Sequence, residues 1–327
     1  MNEFDLIARY FAPLAEGFPG AVGLADDAAL LTPPAGSEIV ATTDTLNEGV
    51  HFIGDEPPGE LARKLLRVNL SDLAAKGAKP WCYLLNLALP ASCNEGWIAA
   101  FAQGLAQDQQ RYGIVLAGGD TTATRTGISL SLTAFGLVKP GRILRRKGAM
   151  PGDLLYVTGT IGEGALGLKV AQGASLVSAA DDAGFLRAYR LPDPPVESAV
   201  ELAALAHAGM DISDGLAADI AHLCNASDVG AEINAADVPL SEAARRWLAQ
   251  PPHRLEELLG GGDDYQLLLA IPPEREEDAD RLATSWCMRL TCIGVITSHS
   301  KAVEFRDAEG KLLQIPSGGW QHRFGDA

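Results

Sequence analysis

The chain has no G-x-x-x-x-G-K-[ST] phosphate loop, no G-x-S-x-G nucleophile elbow and no H-E-x-x-H helix. Its six histidines show no metal spacing, so a serine hydrolase or a zinc enzyme has no local signature here. The five cysteines (Cys82, Cys93, Cys224, Cys287, Cys292) form neither a C-x-x-C pair nor a Cys/His zinc pattern. Their odd number and mostly apolar settings predict reduced, packed thiols in a cytosolic protein. No apolar run approaches membrane-spanning length. The N-terminus, MNEFDLIARYFAPL, carries acids where a signal peptide would be basic. It predicts a short amphipathic helix with Phe4, Ile7, Tyr10 and Phe11 on one side. A cytoplasmic chain without a membrane partner is expected. Basic residues are scarce: 26 Lys and Arg stand against 42 Asp and Glu, a net charge of −16. Such a surface repels nucleic-acid backbones, so no nucleic-acid partner is expected. An anionic substrate would need local cations, either side chains or bound metals.

At 327 residues, with 47% apolar and 21% charged residues, the chain suits two folded domains. Strand-like and helix-like segments alternate through the first half. EIVATTDT starts apolar and ends polar, as a buried strand does when it delivers side chains to a site. GELARKLLRVNLSDLAAKGAKP is helical by the spacing of Leu61, Leu65, Leu66, Leu70 and Leu73, with Gly77 and Pro80 as the stop. WCYLLNLALP reads as a strand, EGWIAAFAQGLAQDQQRYG as a helix, IVLAGGDTT as a strand and turn, and ISLSLTAFGLV as a strand. The Pro- and Gly-rich stretch 139–153 holds the densest basic cluster, Arg142, Arg145, Arg146 and Lys147, and marks a boundary. The domains expected are 1–140 and 141–327, in an α/β or α+β architecture. No short-period repeat or low-complexity tract interrupts them.

One motif is a decoy. GEGALG (162–167) matches the dinucleotide fingerprint between a strand and a helix, but its acidic partner would have to be Asp181 or Asp182, with no strand to carry it. A tight turn that opens a helix is the better reading. The stronger signal is the recurrence of aspartates among glycines and hydroxyls: LADDAAL, TTDT, NLSDLAAKGA, LAGGDTTAT, DISDGLAADI and GGGDDYQL. Each alone has an ordinary explanation: Ser213 or Asp214 as a helix cap, GGD as a turn, Asp72 as a solvated helix residue. Most, however, sit where a strand or turn meets a helix. Asp211 and Asp214 share a face if their turn is helical, and Thr42, Thr43 and Asp44 offer three oxygen donors in a row. Mg²⁺ takes oxygen ligands, often one or two carboxylates with substrate phosphates. Carboxylates gathered without a metal repel one another by on the order of 4 kcal/mol at an effective dielectric near 20. The pattern favours Mg²⁺-dependent phosphate chemistry without a Walker loop.

In order and spacing, ADDAALL, TTDTLNEGVHF, NLSDLAAKGAKP, GGDTT, GRILRRKGAMPGD, DISDGLAADI and GGDDYQLL resemble the thiamine-monophosphate kinase family. That family belongs to the ATP-binding superfamily of aminoimidazole ribonucleotide synthetase. The resemblance runs from Phe4 to Trp320 and implies a two-domain aminoimidazole ribonucleotide synthetase-like fold that dimerises through its N-terminal sheets. It implies ATP as co-substrate, several Mg²⁺ ions and thiamine monophosphate as phosphoryl acceptor. The implied metal ligands are Asp27, Thr42, Thr43, Asp44 and Asp72, with Asp120, Asp211 and Asp214. Gly119, Asp120, Arg146 and Ser213 would contact ATP, and His51, Asp263 and Trp320 the thiamine phosphate. Trp320 also has a plain reading as a C-terminal anchor, and His51 as a satisfied histidine near a strand end. No general base is expected, because the acceptor oxygen is already anionic.

The sequence departs from the family pattern at Ala25, where a glycine is usual, and at Asp263 and Gln266, where glutamates are common. Other superfamily members stay in view, aminoimidazole ribonucleotide synthetase above all, since a selenophosphate synthetase would show a reactive residue near the start and the first cysteine here is Cys82. A non-catalytic acidic protein that binds divalent cations is a third reading, and it gives Arg146 and Trp320 no role.

Overall fold

The computed structural model describes residues 3–298, 301–315 and 319. The chain forms two compact units, Met1–Leu73 with Ala78–Arg142, and Ala74–Gly77 with Ile143–Ala327.

The first unit opens with α1 (Glu3–Leu6), a π turn at Ile7–Phe11 and a 3₁₀ turn at Ala12–Ala15. A regular amphipathic helix was expected here, and the structure differs. Pro13 starts the tightened turn, so Phe11 and Leu14 are buried while Phe4 is 80% exposed. Strands β1 (Glu38–Asn47), β2 (Lys79–Leu89), β3 (Val115–Ala123) and β4 (Ser129–Val138) form a sheet in the order β1-β4-β2-β3. Only β2 and β3 are parallel in it. Helix α2 (Pro58–Ala75) buries the leucine stripe read from the sequence, and α3 (Glu95–Tyr112) starts at an Asn94 side chain that accepts the Trp97 N–H. Asp108 on α3 ties the two helices together. It takes Arg67 Nε at 2.6 Å and Arg63 Nε at 3.0 Å while itself 1% exposed.

GGDTT is not a turn. β3 continues to Ala123 because its backbone pairs residue for residue with Leu84–Leu89 of β2. Gly119 makes that approach possible: a Cβ there would lie 1.8 Å from the Leu85 carbonyl oxygen.

The second unit contains β5 (Leu154–Thr158), α4 (Glu163–Ala171), α5 (Ala179–Arg190), α6 (Ala199–Leu205), β6 (Ala208–Ile212), α7 (Leu216–Ser227) and β7 (Gly230–Asn234). After these come α8 (Glu242–Leu248), α9 (Leu255–Leu259), β8 (Gln266–Ile271), α10 (Glu276–Ser285), β9 (Leu290–Thr297) and β10 (Val303–Arg306). The sheet order is β10-β7-β9-β5-β8-β6, with β10 and β7 parallel and the other pairs antiparallel. Both sheets are therefore mixed, within an α/β (α+β) architecture. The core under this sheet is mostly aliphatic, with Phe185, Trp247 and Phe305 as its aromatic members. Because β5 and β6 both run antiparallel to β8, their C-terminal ends and the start of β8 meet at one sheet edge. Three loops converge there, 159–162, 213–215 and 260–265, close enough that a Cβ on Gly262 would lie 2.3 Å from Ser213 O.

Candidate active site

In the first unit the side-chain period of a strand divides the TTDT run. Thr42 and Asp44 project to the face covered by α2, where the Thr42 hydroxyl donates to Asp72 Oδ2. Burial first, and then the Asp72 charge, push the Asp44 carboxyl up to about 7. Asp72 is accordingly no solvated helix residue. Thr43 points the other way: its hydroxyl donates to Leu132 O at 3.1 Å and accepts from Thr133 Oγ1 at 3.0 Å. Three donors in a row along the chain become two on one face and one on the other.

Asp120 falls outside that pair of carboxylates. Strand register aligns it with Asn86, Ser131 and Thr45, whereas Asp44 aligns with Leu132. With Asp26, Asp27 and Gly119 it lines a cleft of about 480 Å³ whose floor is apolar, including Phe11 and Leu116. Asp26 Oδ1 accepts the Asp27 N–H at 2.8 Å and so holds this exposed turn. Ala25, in the place of the usual glycine, has a φ of −107°, which a Cβ tolerates. His51 follows β1, and its Nδ1 accepts the Asn47 N–H at 3.0 Å. That bond leaves the ring proton on Nε2 and fixes the ring.

In the second unit Asp211 is the penultimate residue of β6, and Ser213 and Asp214 lie in the bend beyond it. The turn is not helical, so the expected i, i+3 face does not exist. Neither Ser213 nor Asp214 caps α7, whose N-cap is Gly215 without a side-chain bond. A residue that the sequence reading passed over takes their N–H groups: Asp219 Oδ2 accepts Ser213 N and Asp214 N, each at 3.1 Å. Burial, then the charges of Asp211 and Asp214, raise Asp219 to about 8 against the pull of those two N–H groups. Asp214, Asp219 and His222 place one ligand atom each within 4.8 Å of one another. The visible signal for this group was the spacing of Asp219 and His222, one turn apart on α7.

The neighbouring loop carries Asp263, whose N–H donates to Ser213 O at 2.9 Å. Its φ of +67° is left-handed, where a short polar side chain is better tolerated than a long one, which suits Asp in place of Glu. The Tyr265 hydroxyl donates to Asp263 Oδ1 at 3.2 Å. Gln266 joins β5 to residue 193: Oε1 accepts the Thr158 hydroxyl at 2.9 Å and Nε2 donates to Asp193 O at 3.3 Å. A glutamate could not make the second bond.

The GEGALG match is explained by Asp264. This buried carboxylate accepts Gly162 N at 2.8 Å and Gly164 N at 3.1 Å, so the helix start that a dinucleotide phosphate would need is filled from within. Arg146 is exposed, and its carbonyl accepts the Ser227 hydroxyl at 3.3 Å. Trp320 lies outside the described residues.

Oxygen donors alone make up the Thr42–Asp44–Asp72 set, and they dominate the sets around Asp120 and Asp214, an inventory suited to a hard divalent cation. Residues 25–138 match the family model of the AIR synthase related protein N-terminal domain, and residues 150–306 that of the C-terminal domain. The two matches together make the chain an AIR synthase related protein. Within that class, the thiamine-monophosphate kinase of Caulobacter vibrioides is 40% identical over 94% of this chain and 85% of its own length. The crystal structure of thiamine-monophosphate kinase from Stenotrophomonas maltophilia K279a is 38% identical, has a TM-score of 0.84 and covers 96% of this chain and 98% of its own. AaThiL complexed with AMPPCP and TMP is 29% identical, with a TM-score of 0.79 and 91% of each chain covered. The chain belongs to the thiamine-monophosphate kinase family.

Proposed function

We propose that this chain transfers the γ-phosphoryl group of ATP to the phosphate of thiamine monophosphate, giving thiamine diphosphate and ADP by direct in-line transfer. The observation that carries this reading is the Thr42–Asp44–Asp72 cluster. It is a half-buried group of oxygen donors whose two carboxylates repel one another, and a bound cation would relieve that repulsion. On this reading Thr42, Thr43, Asp44, Asp72, Asp27 and Asp120 in the first unit hold Mg²⁺, Thr43 only through its main chain. Asp211 and Asp214 do so in the second. Gly119, Asp120, Arg146 and Ser213 contact ATP; His51, Asp263 and Trp320 contact the thiamine phosphate. When bound, the metal supplies positive charge to the phosphate oxygens.

The chain's own residues do the rest by position. Gly119 lets β3 approach β2 closely enough to present Asp120, and Arg146 brings an exposed guanidinium to the phosphates. The acceptor oxygen is already ionised, so no side chain has to remove a proton. An indole such as Trp320 can stack on a cationic thiazolium. The homodimer belongs to the same proposal, and the outer sheet face, with Ile39, Phe135 and Leu137 incompletely buried, supports it. A cytoplasmic location is part of the same proposal; no described helix is long and apolar enough to cross a membrane.

ADP release from ATP and Mg²⁺, with and without thiamine monophosphate, tests the reaction. Release that needs both the acceptor and the metal is expected. ADP release indifferent to thiamine monophosphate would overturn the assignment.

A further inference from the structure

The turn carrying Ser213 and Asp214 is held from two sides. On one side Ser213 O and Ile212 O accept the N–H groups of Asp263 and Tyr265, at 2.9 and 2.8 Å. On the other, a single side-chain oxygen, Asp219 Oδ2, takes both N–H groups of the turn. Asp219 is 1% exposed in the first turn of α7, and that helix is anchored in the core by Ile220, Leu223 and Cys224. Asp211 and Asp214 already supply two carboxylates, and a third buried one beside them only adds repulsion unless its acceptor geometry is needed.

We propose that Asp219 is a positioning residue: its carboxylate fixes the Ser213–Asp214 turn and so sets the Asp214 carboxylate for a divalent cation. The inference rests on the proposed function only in taking Asp211 and Asp214 as metal ligands. Its content is geometric. An asparagine can present one carbonyl oxygen to both N–H groups without the charge. A glutamate keeps the charge but carries the acceptor one methylene too far.

The experiment is Mn²⁺ titration of the full chain, followed by EPR, for wild type, Asp219→Asn, Asp219→Glu and Asp219→Ala, with thermal melts in EDTA as the folding control. Positioning predicts that Asp219→Asn binds within about threefold of wild type, while Asp219→Glu and Asp219→Ala weaken binding by about 10-fold or more. Asp219→Asn binding as poorly as Asp219→Ala, or more poorly than Asp219→Glu, would overturn the proposal in favour of a role for the charge. Equal binding by all four proteins would overturn it as well. If Asp219→Ala does not fold, the Asn and Glu pair decides. Mn²⁺ binding requires no turnover, so failure to phosphorylate thiamine monophosphate would overturn the proposed reaction and leave this result standing. A wild-type chain that binds no Mn²⁺ overturns both.

Discussion

Asp44→Asn should stabilise the metal-free protein while removing its activity. Asp44 is half-buried beside Asp72, and the two effects raise its carboxyl from 3.8 to about 7. A folded value above the unfolded one means that the stability tied to this group is fully present below pH 3.8 and is lost as pH rises through about 7. The loss is complete above that range and amounts to at most about 4 kcal/mol at 1.36 kcal/mol per unit. Asparagine does not ionise and escapes it. Chemical denaturation in EDTA should therefore show Asp44→Asn more stable than wild type at pH 8.5, with the difference shrinking toward zero near pH 4. Saturating Mg²⁺ should reverse the order, because the cation stabilises only the chain that keeps its ligand, and turnover should fall at least about 100-fold. The reasoning is refuted if Asp44→Asn gains nothing in EDTA at pH 8.5, or if Mg²⁺ stabilises it as much as wild type.

Gly119→Ala forces β3 away from the Leu85 carbonyl by on the order of 1 Å and should lower kcat about 100-fold with secondary structure retained, a loss that circular dichroism and turnover together would reveal. Asp108→Ala leaves the buried Arg67 guanidinium without its carboxylate and should cost about 3–5 kcal/mol in urea unfolding, without changing the KM for either substrate. Asp263→Asn keeps a side chain suited to the left-handed backbone and an oxygen for the Tyr265 hydroxyl. Stability should therefore stay within about 0.5 kcal/mol while the KM for thiamine monophosphate rises, and an unchanged KM would remove Asp263 from the substrate site.

The leucine stripe of α2 and the strands on either side of it were legible because they depend on local periodicity and on residues that stop helices. What escaped the sequence depends on partners distant along the chain. GGDTT looked like a turn, and only pairing with β2 keeps it extended. Thr42, Thr43 and Asp44 looked like one donor set until the strand period turned Thr43 away. Asp219 lay inside a quoted motif, yet its acceptor role needs the bend at Ser213 to fold back over the first turn of α7. GEGALG was rightly set aside, though the reason lies about a hundred residues away, in the Asp264 carboxylate that fills the helix start.

The most direct test of the central claim is phosphorus NMR of the purified chain incubated with ATP, Mg²⁺ and thiamine monophosphate. The account predicts that the thiamine monophosphate resonance is replaced by the coupled pair of a diphosphate ester as ADP accumulates in equal amount, and that EDTA stops both changes. ADP accumulating with inorganic phosphate, while the thiamine monophosphate resonance stays intact, would contradict it.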